Sequence, residues 1–359
     1  MYAHARFLAL SSLGLLAAAC QSPRQPADDD RAAAHVTIEP IARAEVPPPE
    51  DRPAGDAADE ESTRLTVEKF RSGKSRIERT ERRLDDGTWI ADGPARKYHQ
   101  TGELDSQGEY LAGLKHGAWK YWYPSTRMEA EGCYAHGEPQ GPWRFYKENG
   151  RCVQTGSFEG GLPRGEWTYF WPSNSRQRSR GEFVDGLQHG VWSWWDEEGR
   201  AAEEGTYAKG QKEGSWRSWH KGSELASQGE YRADAREGQW TSWHADGSIA
   251  REGGYVNGLE EGPWVYAGPD GKPVQRGAFR AGKEDGAWTF WRDDGTKSDE
   301  GSFTNGRASG AWTHWHANEA KASEGEYVDG KAQGVWTYRN EDGTEKERVR
   351  FEAGRRVQS

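Results

Sequence analysis

The sequence predicts an all-β fold: an elongated single-layer antiparallel meander of about ten 24-residue β-hairpin repeats. Three observations carry this reading. Glycine recurs at 108, 132, 156, 181, 205, 229, 253, 277, 301 and 325, a spacing of 24 residues with a single 25. Counting each of these as position 0, position 11 is tryptophan in all ten repeats: Trp119, Trp143, Trp167, Trp192, Trp216, Trp240, Trp264, Trp288, Trp312 and Trp336. Finally, only 33% of the 359 residues are hydrophobic, against 46 glycines and 19 tryptophans, so a large aliphatic core is out of reach. A fixed period of this kind marks a repeat architecture rather than a globular domain.

The N-terminal segment stands apart from the repeats. Residues 1–19 have one basic residue, Arg6, then an apolar run from Phe7 to Leu16, then small residues before Cys20. The run is too short for a membrane-spanning helix and suits an export signal. LAAAC resembles a bacterial lipobox, which implies cleavage before Cys20 and acylation of its thiol. The chain is then exported and anchored by lipid in the bacterial envelope. Gln21 fits sorting to the outer membrane, as lipoproteins in general have it.

Residues 20–63 read as acylated Cys20 followed by a disordered tether. Positions 21–63 hold seven prolines, eleven acids, four arginines and no aromatic ring. Such a segment buries too little apolar surface to fold. The net charge of −10 divides into +1 for the signal, −7 for the tether and −4 for residues 64–359. The folded part is near neutral with mixed signs, which argues against a nucleic-acid partner.

Residues 64–107 read as an N-terminal cap with a degenerate repeat. Within 87–107 Gly87, Trp89, Gly93 and Gly102 are kept, but Ala95 stands at position 11. Ser75–Leu84 is the better candidate strand before it. The ten full repeats occupy 108–348, and 349–359 is a C-terminal half-repeat with Phe351 at position 2.

Each full repeat contains two turn signals. Asp-Gly and Asn-Gly at positions 4–5 (185–186, 257–258, 305–306, 329–330) supply the positive φ of a tight hairpin. A second set ends at Gly150, Gly199, Gly247, Gly271, Gly295 and Gly343. Two strands of roughly six to eight residues remain, with aromatics alternating at period two. About twenty such strands at about 4.8 Å spacing give a sheet roughly 100 Å long.

A single layer needs a substitute for a core. Rings at positions 2, 11 and 13 share one face, and the glycines beside them let the rings lie flat on the neighbouring strand. Each ring buries about 150–250 Å², worth roughly 4–6 kcal/mol before entropy. Position 14 has the opposite parity, so Trp122, Trp195, Trp219, Trp243, Trp291 and Trp315 are the candidate binding face.

The frame G-x-[YF]-x-x-G-x-x-x-G-x-W-x-x-[WY], with LQHGVW and LKHGAW inside it, resembles the bacterial variant of the MORN repeat over 108–354. The resemblance implies elongated hairpin arrays that bind proteins or membranes. Many bacterial members carry an antitoxin label. A second, weaker resemblance is to choline- and glucan-binding cell-wall repeats, which hold ligands between aromatic rings.

No P-loop, GxSxG, HExxH or CxxC motif is present. No catalytic residue, cofactor or metal ligand is assigned, and an enzyme is not expected. His116 and His189 fill their repeat position. His314 and His316 lie two apart, so one strand face presents both, without a third metal ligand nearby. Glu131, Glu204, Glu252, Glu300 and Glu324 form an acidic register that a basic partner would meet. Cys133 and Cys152 fall two strands apart, too far for a disulfide. The expected function is a lipid-anchored, non-enzymatic scaffold that docks a protein partner. The alternatives are a peptidoglycan or glycan binder using the position-14 tryptophans, and an antitoxin or immunity protein.

Overall fold

A computed structural model describes residues 62–357; the signal, Cys20 and the expected tether as far as residue 61 lie outside them, while Thr63, read as the tether's last residue, opens the first strand. The described residues form one open antiparallel sheet of 26 strands, and every regular element among them is a strand. Each strand pairs with its chain neighbour, from Thr63–Lys69 against Ser75–Arg83 at one edge to Glu345–Glu352 against Arg355–Val357 at the other. Lys283–Glu284 and Gly286–Trp291 both pair with Pro273–Arg280, so they are one strand interrupted at Asp285.

The repeat beginning at Gly181 shows the local logic. Its strands are Gln177–Val184 and Leu187–Trp195, eight and nine residues long. They are longer than the turn signals alone imply because the hairpin spends only two residues on its turn. Asp185 and Gly186 have φ of 51° and 78°, and Val184 pairs with Leu187 immediately across them. The same left-handed pair occurs where position 4 is not Asn or Asp: Ala112, His136, Lys209 and Ala281 all have φ near 50°. The Gly186 N–H then donates to the Pro163 carbonyl of the preceding repeat at 3.2 Å, tying adjacent hairpins together. At the opposite margin, Asn or Asp at position 17 closes the second turn. Asp246 Oδ1, for example, accepts the Ser248 N–H at 2.9 Å.

Between the turns the ladder slips. Arg180 pairs with Ser193, but Glu182 pairs with His189, so Gly190 and Val191 are extra on the second strand. A bulge of this kind needs a left-handed residue, and Gly190 takes φ of 67° there. Position 9 glycines have φ between 66° and 85° in all ten repeats, which explains why that glycine never varies.

The slip and the tryptophan belong together. Trp192 lies across Gly181, and its Nε1–H donates to the Glu182 carbonyl at 3.1 Å, where the register changes. All ten position-11 indoles donate in this way, at 3.0–3.2 Å. They are 1–7% exposed, and the largest fully buried side chains, Trp167, Trp216, Trp264 and Trp288, are among them.

Rings on one face cover them. Trp192 meets Phe183 edge-on at 5.2 Å and Tyr207 at 6.2 Å, and it leans on Trp194 at 5.9 Å. Contacts of this geometry link ring to ring from Tyr110 to Phe351. Edge-to-face pairs suit the aromatic quadrupole and add to area burial. Position 7 closes the row in three repeats. Lys115, Lys212 and Arg236 set their cations 4.6, 3.8 and 4.6 Å from the indole centroids of Trp119, Trp216 and Trp240. Burial pulls the Lys115 ammonium pKa down and pushes the Tyr169 and Tyr207 hydroxyls up to about 12.

Candidate docking face

The side chains at positions 1, 3, 6, 8, 10, 12 and 14 point away from the aromatic row. Trp122, Trp195, Trp219, Trp243, Trp291 and Trp315 sit on that second face near the second-turn margin, each half-buried. The centre of the face is polar and open, with small residues such as Ser193, Ser215 and Thr241. Its hairpin margin is a fringe of exposed aliphatics, including Leu162, Leu187, Leu259, Val256 and Val328. Apolar groups thus line both margins of a polar strip. Lys297 Nζ lies 4.9 Å from the Trp315 ring centroid, and Arg276 lies 5.9 Å from that of Trp291.

The ladder is held in place by a device not evident in the sequence. Position 15 reaches across to the carbonyl of position 14 in the following repeat. His99 Nε2 lies 2.8 Å from the Trp122 oxygen, and His220 Nε2 lies 2.8 Å from that of Trp243. The Trp171 indole donates to the Trp195 carbonyl at 3.0 Å, and Arg292 donates to that of Trp315. Tyr123 does the same to the Tyr146 carbonyl at 2.8 Å. The signal available in the sequence was a polar or ring donor directly after position 14, chemically varied but constant in role.

The remaining candidates have separate duties. His314 and His316 do not converge, contrary to the shared-face expectation. The His314 ring is stacked between Trp312 and Trp336, at 6.2 and 5.7 Å, and its Nδ1 pairs with Asp299. His316 lies beyond the strand end, with Nε2 3.0 Å from the Arg339 carbonyl. Among the described residues no cluster of three or more His, Cys, Asp or Glu is arranged to hold a metal. Cys133 and Cys152 are free thiols.

The acidic register is largely engaged within the chain. Glu131 accepts from the Tyr146 hydroxyl at 2.8 Å, and Glu204 from Ser193 Oγ at 3.2 Å. Glu324 pairs with Lys321 and Arg339, both at 2.7 Å, and Glu300 pairs with Lys297. A second set of acids, at position 8, caps turns. Glu213, Glu237 and Glu261 accept the N–H groups of Ala233, Asn257 and Ala281 in the next repeat at 3.0, 2.9 and 2.8 Å.

Residues 236–257 match the family model described as MORN repeat variant. No curated protein matches the chain. Among solved structures, the crystal structure of TcdB2-TccC3 is similar at 11% identity and a TM-score of 0.16, covering 82% of this chain and 20% of that one. The Photorhabdus luminescens Tc holotoxin pore is similar at 10% identity and a TM-score of 0.16, covering 81% of this chain and 16% of that one. A protein of unknown function from Bacteroides fragilis is similar at 8% identity and a TM-score of 0.11, covering 55% of this chain and 94% of that one. The chain therefore spans a fifth or less of the length of the first two. It is a repeated β-meander carrying a MORN repeat variant at residues 236–257.

Proposed function

We propose that this protein is a lipid-anchored, non-enzymatic scaffold of the bacterial envelope that docks a protein partner along its second face. The supporting observation is the register of six half-buried indoles on the side away from the aromatic row, four of them with their carbonyls fixed by the preceding repeat. Their rings are spare in a precise sense: the row that shields the sheet is complete without them. Aromatic anchors partly exposed on a preorganised surface are the groups that dominate protein interfaces. Anchoring through Cys20 would hold such an array within reach of envelope proteins.

The test uses the triple variant Trp195→Ser, Trp219→Ser, Trp243→Ser. These rings follow one another in successive repeats, about two strand spacings or roughly 10 Å apart. The full chain is used to capture partners from envelope extracts, with purified peptidoglycan sedimented alongside. The docking reading expects the wild type to retain a defined protein that the folded triple variant loses, with neither form sedimenting with peptidoglycan. Sedimentation of the wild type with peptidoglycan, lost in the variant, would replace the protein partner with a glycan. Cys20→Ala should in parallel move the protein out of the membrane fraction.

A further inference from the structure

The second face is not uniform, and its N-terminal end departs from the rest. A shallow dish of about 560 Å³ opens over the strands Trp89–Tyr98, Leu104–Leu111 and Leu114–Trp122. Its floor is low because position 10 holds the small residues Pro94 and Ala118. Its wall is a row across three strands: Arg96 pairs with Gln107, and Gln107 pairs with Lys120. Two cations therefore flank a carboxamide, about one strand spacing to each side, roughly 5 Å. Glu109 stands on the rim and Trp122 closes one end. Arg96, Lys120, Gln107 and Glu109 are all exposed. The acids opposite the two cations on the outer ladders, Glu78 across from Arg96 and Glu131 across from Lys120, accept from the Tyr98 and Tyr146 hydroxyls at 2.8 Å.

This combination occurs at one place on the face. Position 12 carries Arg96, Lys120 and Arg144 at the N-terminal end, and further on a single cation, Arg217, set between Ser193 and Thr241. Arg144 lies 3.9 Å from Glu131, so it is Arg96 and Lys120, on either side of Gln107, that line the dish.

We infer that the dish binds an acidic sugar, a pyranose ring bearing a single carboxylate. Each part of such a ligand meets a matching group. The C–H face of the ring lies on the Trp122 indole, as flat apolar surfaces do on aromatic rings. The carboxylate sits between Arg96 and Lys120, with the guanidinium offering the two parallel N–H groups that fit a carboxylate. Ring hydroxyls donate to the Gln107 amide oxygen and to the Glu109 carboxylate. The volume is in the range of small-ligand sites, about 300–1,000 Å³. The dish is open to solvent, so binding is weak and readily exchanging.

The experiment is titration of the full chain with a glucuronate-terminated disaccharide, followed by calorimetry and by ligand-observed saturation-transfer NMR. The same disaccharide with its carboxylate reduced to an alcohol, and inorganic phosphate, serve as comparison probes. The uronate is expected to bind, and Trp122→Ala and Arg96→Gln should each weaken it by about tenfold or more, as for a lost anchor or charged hydrogen bond. Lys120→Gln, an exposed substitution that leaves the fold unstrained, should weaken it too, and it keeps the test decisive if Trp122→Ala disturbs the first repeat. Val335→Thr, at an exposed position far along the face, should leave uronate binding unchanged. Equal binding of the reduced disaccharide, full competition by inorganic phosphate, or undiminished binding by Lys120→Gln and Arg96→Gln would each overturn the inference. Trp122 belongs to the six-indole register of the docking reading, but the partner-capture test substitutes Trp195, Trp219 and Trp243, so failure of one reading is distinguishable from failure of the other.

Discussion

Trp192 lies so close over Gly181 that a Cβ on the glycine would come within 2.1 Å of the indole Cδ2. The corresponding separation is 2.0–2.3 Å in every full repeat. One glycine and one tryptophan eleven residues later are thus a single unit. The glycine gives up its side chain, the indole takes that space, and the ring nitrogen satisfies the carbonyl at the slip in the ladder. The sheet is stabilised from one side by this unit.

Removing an indole should open its own repeat. Trp216→Ala gives up a ring 2% exposed and leaves the Thr206 carbonyl without its 3.1 Å donor. Substitutions of this size cost about 3–5 kcal/mol. In a repeat array the loss is local. Hydrogen exchange should accelerate across residues 201–243 and little elsewhere; uniform acceleration, or none, would contradict this. Trp219→Ser, on the second face, should produce a much smaller effect.

Turn chemistry offers a gain. Ala281 sits at position 4 with φ of 49°, where Asn257 and Asn305 stand in neighbouring repeats with φ of 50° and 51°. An alanine in the left-handed region costs roughly 1–2 kcal/mol, and asparagine tolerates it better. Ala281→Asn is expected to raise stability by about 0.5–1 kcal/mol. Thermal denaturation checks it, with Asn305→Ala expected to move in the opposite direction.

Acid should loosen the N-terminal edge first. The carboxylate of Glu81, 4% exposed, accepts from Thr66 Oγ1 and from Arg64 Nη2 at 2.7 Å and from Arg79 Nε at 2.8 Å. The Thr66 hydroxyl, then the two guanidiniums, outweigh the opposing effect of burial and bring its pKa from 4.5 down to about 2. A folded-state pKa below the unfolded one gives stability that is complete above pH 4.5 and lost as pH falls through about 2. Amide protection in Thr63–Lys69, which pairs only with Ser75–Arg83, should fall over that window. Glu81→Gln should impose the loss at neutral pH. Equal protection of this strand at pH 2 and pH 6 would show that the pairing is immaterial.

The repeat was legible because its requirements are local and severe. Position 0 admits only glycine under an indole, position 9 needs a left-handed backbone, and position 11 must both fill space and donate. Such constraints appear as invariant letters. The position-15 bridges were not legible because several chemistries serve equally well. His220, Trp171, Arg292 and Tyr123 all reach the same carbonyl. The position-8 acids were hidden differently: their partners are backbone N–H groups, which have no letter in the sequence. The two histidines were misread as companions because period-two alternation was extended past Trp315, where the strand ends. The candidate face could be placed by parity alone, whereas the dish at Trp122 required knowing which side chains stand next to one another across three strands.

A double-mutant cycle on Gly181 and Trp192 tests most directly whether this pair organises the sheet. Gly181→Ala alone should destabilise by about 1–3 kcal/mol, as expected for overpacking. In the Trp192→Ala background the same change should cost almost nothing, or stabilise slightly, because alanine suits a strand better than glycine once the ring is gone. The predicted result is therefore a coupling energy of about 1–3 kcal/mol. Additivity of the two substitutions within about 0.5 kcal/mol would contradict the account, since glycine and indole would then contribute independently.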